Sequence, residues 1–381
     1  MIQYITSESV TSWHPDKICD QISDSILDAC LLQDPNSRVW CECLAAWNNL
    51  VIAWEISTNA KVDYIEIAKN TIKEIGYDSD DKFYNYLSVN YLDFVNTQSR
   101  DIAVWVDSGW AWDQWIMYWF ATNETSDFMP LPISISHKLS KRLEDVRKEG
   151  IINYIYPDWK TQVTVFYDES WKAIWIDTVL ISTQHSIWTD QLVLKNDLIN
   201  YVISPILKEF WYGINDVKNI YVNPTWIFNI WGPIWDCWLT WRKIIVDTYW
   251  WVWRHWGWAF SWKDPPKVDR SWAYIARYLS KNIVASWICE KCEIQISYAI
   301  WIPQPTSIYI DTFWTSLVDE EVIIKSIQTN FDLSPKWIIE KLDLKKPIYK
   351  KTSTYWHFWR KDFSWEKLDS IEIFSKLKWI S

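Results

Sequence analysis

Residues 231–270 read WGPIWDCWLTWRKIIVDTYWWVWRHWGWAFSWKDPPKVDR. Two features of this stretch decide how the rest of the chain is read. Asp236, Arg242, Lys243, Lys263, Lys267 and Asp269 set a dense group of fixed charges within it. Such a group is what holding a polyphosphate and its metal ion requires. Between the charges stand tryptophans, in the doublet Trp250-Trp251 and around Trp256-Gly257-Trp258, where turn chemistry calls for glycine.

The composition carries the same signal. The chain has 381 residues, with 34 Trp and 6 Gly. An ordinary globular chain carries about 7% Gly, which here would be roughly 27 residues. Glycine alone supplies positive φ and close backbone approach without steric cost. The expectation is that most of these tryptophans are glycine in the native protein. A gene that reads UGA as glycine, translated with a table that reads it as tryptophan, gives this composition. The alternative is a genuinely Trp-rich binding protein.

Length and charge set further bounds. A chain of this size is long enough for two or three domains with a sizeable core. The formal net charge of −10 argues against a sequence-independent grip on nucleic acid or anionic lipid. The N-terminal residues show no basic segment followed by an apolar one, and no run of about 18 apolar residues suggests a membrane span. Cytoplasm is the expected compartment. Seven cysteines lack the spacing of a disulfide framework. Cys41 with Cys43, and Cys289 with Cys292, lie in or beside apolar sequence and read as buried reduced thiols rather than a zinc site.

Taken in order, His14-Pro15-Asp16-Lys17 opens an amphipathic helix running to about residue 32, with Ile18, Ile22, Ile26 and Ala29 at helical spacing. Its N-terminus is a ready anion site. There His14 can donate to a phosphate or ribose oxygen and Asp16 can ligate Mg2+. Residues 38–57 read as two strands joined at Asn48-Asn49, each with one acid, Glu42 and Glu55. A helix follows from about 64 to 75 and stops at Gly76. The polar, irregular stretch from Gln98 to Trp112 reads as a mobile lid. A helix over about 133–148 closes at Gly150, and the turn at Asp158 and Lys160 enters a strand over 161–167. Further strands are expected near 175–183, 220–223, 293–300 and 306–312. Helices are expected over 192–207 with an interruption near Pro205, over 271–286 and over 320–331. Strand pairs alternating with helices recur about three times, which points to three α/β units.

Three motifs then bring a known family into view. They are Trp13-His14-Pro15-Asp16-Lys17 with its continuation, Trp110-Ala111-Trp112-Asp113-Gln114-Trp115, and Trp256-Gly257-Trp258-Ala259-Phe260-Ser261-Trp262-Lys263-Asp264. In register they resemble motifs of the S-adenosylmethionine synthetase (methionine adenosyltransferase) family, with Trp where that family has Gly. The resemblance runs through nearly the whole chain, from Thr6 to Lys367.

The resemblance implies an α/β (α+β) fold of three similar two-layer domains with pseudo-threefold symmetry. The segments would be 1–98, a mobile active-site loop 99–112, a central domain 113–229 and a C-terminal domain 230–381. It implies synthesis of S-adenosylmethionine from ATP and L-methionine, by attack of the methionine sulfur on C5′, followed by cleavage of the triphosphate to diphosphate and phosphate. His14, Lys160, Arg242 and Lys263 would be catalytic. Asp158, Phe228, Asp236, Lys243 and Ala259 would join them around ATP, with Phe228 a candidate partner for the adenine ring. Glu55, Gln98, Asp113, Asp236 and Lys267 match positions that contact methionine. Asp16 and Asp269 would hold two Mg2+ ions per subunit, and Glu42 one K+. A homodimer or homotetramer with active sites between subunits is expected.

The chain also departs from the family pattern. Ile227 stands where an Arg is usual, Pro266 replaces a small hydroxyl residue, and the lid is a few residues short. Two readings compete with this one. A kinase needs a nucleophile aimed at the γ-phosphorus and usually a base for a hydroxyl, and no P-loop is present even when every Trp is read as Gly. An aromatic-rich binding module does not account for the register of the three motifs.

Overall fold

The computed structural model describes residues 3–78, 84–97, 114–225, 228–229, 237–249, 252, 254, 259–300 and 302–379. Three sheets are built, two mixed and one antiparallel, each carrying helices. The first has the order β4-β3-β2-β9, from β2 (Arg38–Ala46), β3 (Asn49–Ser57), β4 (Asn90–Asn96) and the short β9 (Cys237–Leu239). Helices α1 (Pro15–Gln33) and α2 (Tyr64–Ile75) belong to this unit, and α1 packs on β2. The second has the order β1-β6-β7-β8, from β1 (Gln3–Val10), β6 (Ile155–Tyr167), β7 (Ala173–His185) and β8 (Val217–Val222). It is covered by α3 (Leu131–Lys148) and by a helical stretch that begins with α4 (Gln191–Leu198). The third has the order β11-β10-β5, from β5 (Trp115–Thr122), β10 (Lys291–Tyr298) and β11 (Ser307–Asp311). Here α5 (Val268–Ala285) lies on β5 and β10, and α6 (Glu320–Asn330) lies on β11. The α/β class and its threefold repetition of sheet plus helices are as expected.

The sheets do not follow the linear order of the chain. β1 pairs antiparallel with β6, Gln3 opposite Tyr167 and Val10 opposite Lys160. β5 joins β10 far downstream, and β9 returns to pair with β2 through Leu44 and Leu239. These exchanges tie the units together. They also fuse the cores of the first and third units into one apolar cluster, from Ile18, Ile22 and Ile52 through to Ile275, Leu279 and Ile294. The second unit keeps its own core around Leu139, Val163, Val179 and Leu198.

Local chemistry explains the element ends. α2 starts at Asp63, whose side chain accepts the Glu66 N–H at 2.9 Å, and stops at Gly76, which takes φ 114°. The hairpin of β2 and β3 pairs Ala46 with Asn49, so its two-residue turn is Trp47-Asn48, one residue earlier than the sequence suggests. Cys41, Cys43, Cys289 and Cys292 are all buried thiols. No helix among the described residues is long and apolar enough to cross a membrane.

Backbone conformation is unusual at the tryptophans. Fifteen non-glycine residues among those described have positive φ, and nine are Trp: 47, 54, 171, 211, 241, 262, 287, 314 and 359. Only a few per cent of non-glycine residues adopt such angles, and bulky ones rarely do. Trp54, inside β3, reaches φ 101°. Trp110, Trp112, Trp256 and Trp258 of the family-like motifs lie outside the described residues.

Candidate active site

Four pieces of chain converge on the N-terminal half of α1. They are the start of that helix, the beginning of β6, residues 237–247, and the loop 259–267 that feeds α5. A ladder of carboxylates holds two of these pieces, residues 237–247 and the loop before α5. Asp16, Asp20, Asp24 and Asp28 recur every four residues, so they share one face of α1. Asp16 and Asp20 both take residues 237–247, Asp24 takes the loop before α5 and the start of that helix, and Asp28 takes a segment farther down the chain. Asp16 accepts the Leu239 N–H at 3.1 Å and the Lys243 ammonium at 2.6 Å. Asp20 accepts the Trp241 N–H at 3.2 Å. Asp24 accepts the Trp262 N–H at 3.2 Å and two Arg270 nitrogens at 2.8 and 2.7 Å. Asp28 accepts the N–H groups of Tyr349 and Lys350 at 2.8 and 2.9 Å. Of these four acids, only Asp16 was singled out from sequence, although the four-residue spacing in 16–28 was there to be read.

His14 caps α1. Its Nδ1 accepts the Asp16 N–H at 3.3 Å, so the neutral ring carries its proton on Nε2. That Nε2 is buried and has no hydrogen-bond partner among the described residues. Burial holds the imidazole pKa well below its ordinary value, helped by the charges of Lys243, Lys160, Lys17 and Arg242. The result is a neutral donor surrounded by cations. Lys17, which sequence reasoning did not assign a role, is buried beneath and is held by Asp247 at 2.5 Å and Asp20 at 3.1 Å.

The structure places the other expected residues as follows. Lys160 on β6 is half-buried, and Asp158 two residues earlier is buried. Burial pushes the Asp158 carboxyl well above the carboxylate range, against the pull of Lys160 and Lys243. Arg242 is exposed and donates to the Cys237 carbonyl at 2.9 Å. Lys263 is buried and pairs with Asp269, and burial lowers its ammonium to about 8 despite that partner. Lys267 lies at the mouth of α5 with its ammonium 4.7 Å from the centre of the Trp40 ring. Ala259 is buried in the loop between.

Glu42 and Glu55 sit on the outer face of the first sheet, the face away from α1, opposite Ala53 and Trp40 respectively. Burial raises the Glu42 carboxyl, while Lys263 draws it back down. Phe228 is tied to the end of β7, its carbonyl accepting the His185 N–H at 3.1 Å. Gln98, Asp113 and Asp236, together with Ile227 and the whole of the expected lid, lie outside the described residues.

Asp16 and Asp269 suit Mg2+ chemically. Both are buried carboxylates, and each is already compensated by a lysine ammonium, Lys243 and Lys263. Among the described residues no three His, Cys, Asp or Glu side chains converge as a metal cage. Mg2+ needs none, because it commonly binds through one or two carboxylates together with substrate phosphates and water.

Comparison with known proteins gives the family. Models of the S-adenosylmethionine synthetase N-terminal, central and C-terminal domains match residues 3–100, 108–228 and 230–367. The S-adenosylmethionine synthase of Brachyspira hyodysenteriae is 46% identical over 390 residues, covering 98% of both chains. That of Treponema denticola is 48% identical over 384 residues, again covering 98% of both. The chain belongs to the S-adenosylmethionine synthetase family.

Proposed function

We propose that the cations gathered at α1 hold the triphosphate of ATP while the methionine sulfur displaces it from C5′. As a methionine adenosyltransferase, the chain makes S-adenosylmethionine from ATP and L-methionine. The nucleophile is a neutral thioether that becomes a sulfonium, so no base has to remove a proton. The difficulty lies in the leaving group, which gathers negative charge as the C5′–O bond breaks. Preorganised donors and cations aimed at that charge are the main catalytic means.

One observation carries this reading. His14 offers a buried Nε2–H with no partner among the described residues, and burial, helped by the charges of Lys243, Lys160, Lys17 and Arg242, keeps the ring neutral. A neutral donor can serve the oxygen nearest the breaking bond without giving up a proton first. Lys160, Arg242, Lys243 and Lys263 supply charge along the departing chain, and Lys267 reaches the substrates from the opposite side. Asp158, Phe228 and Ala259 border the nucleotide, and Glu55 contacts methionine. Gln98, Asp113 and Asp236 complete the site by family register.

The family generally depends on Mg2+ and K+. In this reading Asp16 and Asp269 hold two Mg2+ ions per subunit, and Glu42 holds one K+. Bound Mg2+ neutralises charge on the departing triphosphate. The half-buried outer face of the first sheet, with Trp40, Leu44 and Val51 beside Glu42 and Glu55, supports a second subunit covering it. We therefore read the enzyme as a homodimer or homotetramer in the cytoplasm, with segments 1–98, 113–229 and 230–381 as its domains and 99–112 as a lid.

The tryptophans at positive φ are read as glycine in the native protein. Their backbone angles, the shortfall of glycine and the family motifs all support this. Mass spectrometry of tryptic peptides from the native protein decides it. Peptides carrying the literal tryptophans would end this reading.

Product stoichiometry tests the reaction. Methionine-dependent conversion of ATP should release diphosphate and phosphate in equal amounts with S-adenosylmethionine. Formation of ADP would overturn the assignment in favour of a phosphoryl transferase.

A further inference from the structure

Consecutive residues at the start of α5 hold Lys263 at both ends. Asp269 takes its ammonium. Arg270 takes its carbonyl, with Nη1 donating at 3.0 Å. Arg270 is fully buried, and its guanidinium spans the gap between the loop and α1. Both terminal nitrogens donate to Asp24, Nη2 also donates to Thr352 Oγ1 at 2.9 Å, and Nε donates to the Tyr274 hydroxyl at 3.2 Å. Asp24 then closes the circuit by accepting the Trp262 N–H at 3.2 Å, one residue before the lysine.

The opposite side of the loop is fixed by β2. Cys41 N–H donates to the Trp262 carbonyl at 3.3 Å, and Asp264 N–H to the Val39 carbonyl at 3.2 Å. Asp264 Oδ2 accepts the Val39 N–H at 2.7 Å. The backbone on each side of Lys263 is therefore clamped between a strand and an ion pair. A buried ion pair is weak evidence for stability, since apolar packing can often replace it. This one also aims one donor, Nη1, at the Lys263 carbonyl, while Nε and Nη2 tie the guanidinium to Tyr274 and Thr352, which apolar packing cannot do.

We infer that the Asp24–Arg270 pair is a positioning device for Lys263, fixing its main chain so that the ammonium meets the departing triphosphate already in place. The inference rests on the reading of Lys263 as a triphosphate-binding cation. Neither Asp24 nor Arg270 touches substrate in this account. Both act through the lysine, where a misplacement of about 1 Å can cost on the order of 100-fold in rate.

A double-mutant cycle on the full-length enzyme tests this. Arg270→Lys keeps the charge but loses the planar fork that meets Asp24, Thr352 and the Lys263 carbonyl together. It should lower kcat by about 100-fold while leaving KM for methionine little changed. The same substitution made in Lys263→Ala should lower kcat no further, because the group through which it acts is gone. Thr352→Val is the milder companion, removing one acceptor of Nη2. It should give a few-fold loss of kcat that also vanishes in Lys263→Ala, and it decides the matter if Arg270→Lys fails to fold. Equal losses in both backgrounds, or no loss from either substitution, would overturn the inference. If Lys263→Ala alone leaves kcat intact, the reading of Lys263 fails first, and that outcome is separable from the others.

Discussion

His14 Nδ1 accepts the backbone N–H of Asp16 at 3.3 Å, which leaves Nε2 as the ring's only donor. The two nitrogens therefore have separate jobs, and substitutions can separate them. Asn at this position is a good helix cap and can keep the Nδ1 contact, but it has nothing at the Nε2 position. His14→Asn should fold normally and lose about 100- to 1,000-fold in kcat, the usual effect of removing one such donor. His14→Gln carries an amide farther out and should recover part of the loss. Steady-state kinetics on both variants checks this, and a fully active His14→Asn would contradict the assigned role.

Two histidines far from any substrate role are also buried in neutral form. His137 Nδ1 lies 2.7 Å from Ser9 Oγ, and His357 Nδ1 lies 2.8 Å from the Tyr274 hydroxyl. Burial holds both pKa values well below the ordinary one, with Lys17 adding to the effect on each. In the unfolded chain they take up protons near pH 6.5. The unfolded state then binds more protons, so their contribution to stability is intact above about pH 6.5 and is lost as pH falls below it. Asp28, raised by burial to about 6, has the opposite sign between its ordinary value and that pH. The comparison must therefore be differential. The melting temperature of His137→Gln should fall less steeply below about pH 6.5 than that of the parent. Parallel curves would contradict the neutral burial.

One carboxylate ties the C-terminal region to two cations of α5. Glu366 accepts Arg277 Nε at 3.0 Å, Arg277 Nη2 at 3.1 Å and Lys281 Nζ at 2.6 Å, all buried against α5. Burial pushes its carboxyl up, but Arg277 and Lys281 outweigh that and hold it below the usual value. Glu366→Ala leaves two buried cations without their partner and should cost about 3–5 kcal/mol in urea unfolding. A loss below about 1 kcal/mol, typical of an exposed pair, would contradict the picture.

Backbone angle predicts which tryptophans should be replaced first. Trp54 and Trp262 hold φ 101° and 74°. Positive φ costs a non-glycine residue roughly 1–3 kcal/mol where the surroundings impose it. Trp54→Gly and Trp262→Gly should each raise the melting temperature. A protein that is more stable and more active with both tryptophans retained would contradict the glycine reading.

The parts of the fold that depend on local chemistry were legible in the sequence. The stop of α2 at Gly76 is one case, and the helix N-terminus at His14-Pro15 is another. Pro205 was read as an interruption, yet a π turn over Ile199–Ile203 precedes it. Pro205 is the second residue of the following helix, Ser204–Glu209, where its missing N–H costs little. The hairpin turn was misplaced by one residue because Trp47, not an asparagine, takes the left-handed position at φ 55°. The strand exchange was not legible, since pairing Ser9 with Thr161 leaves no local mark on either segment. The same holds in the site. The charges of residues 231–270 were evident, but Arg270 binds Asp24 across 246 positions of chain, and spacing says nothing about such a partner.

The central claim is that charge placed around the leaving triphosphate carries the catalysis. Lys263→Ala tests it most directly, with kcat and KM for methionine measured under saturating ATP and Mg2+. The account predicts a fall in kcat of about 100- to 1,000-fold, with a far smaller change in KM. An unchanged kcat would contradict it.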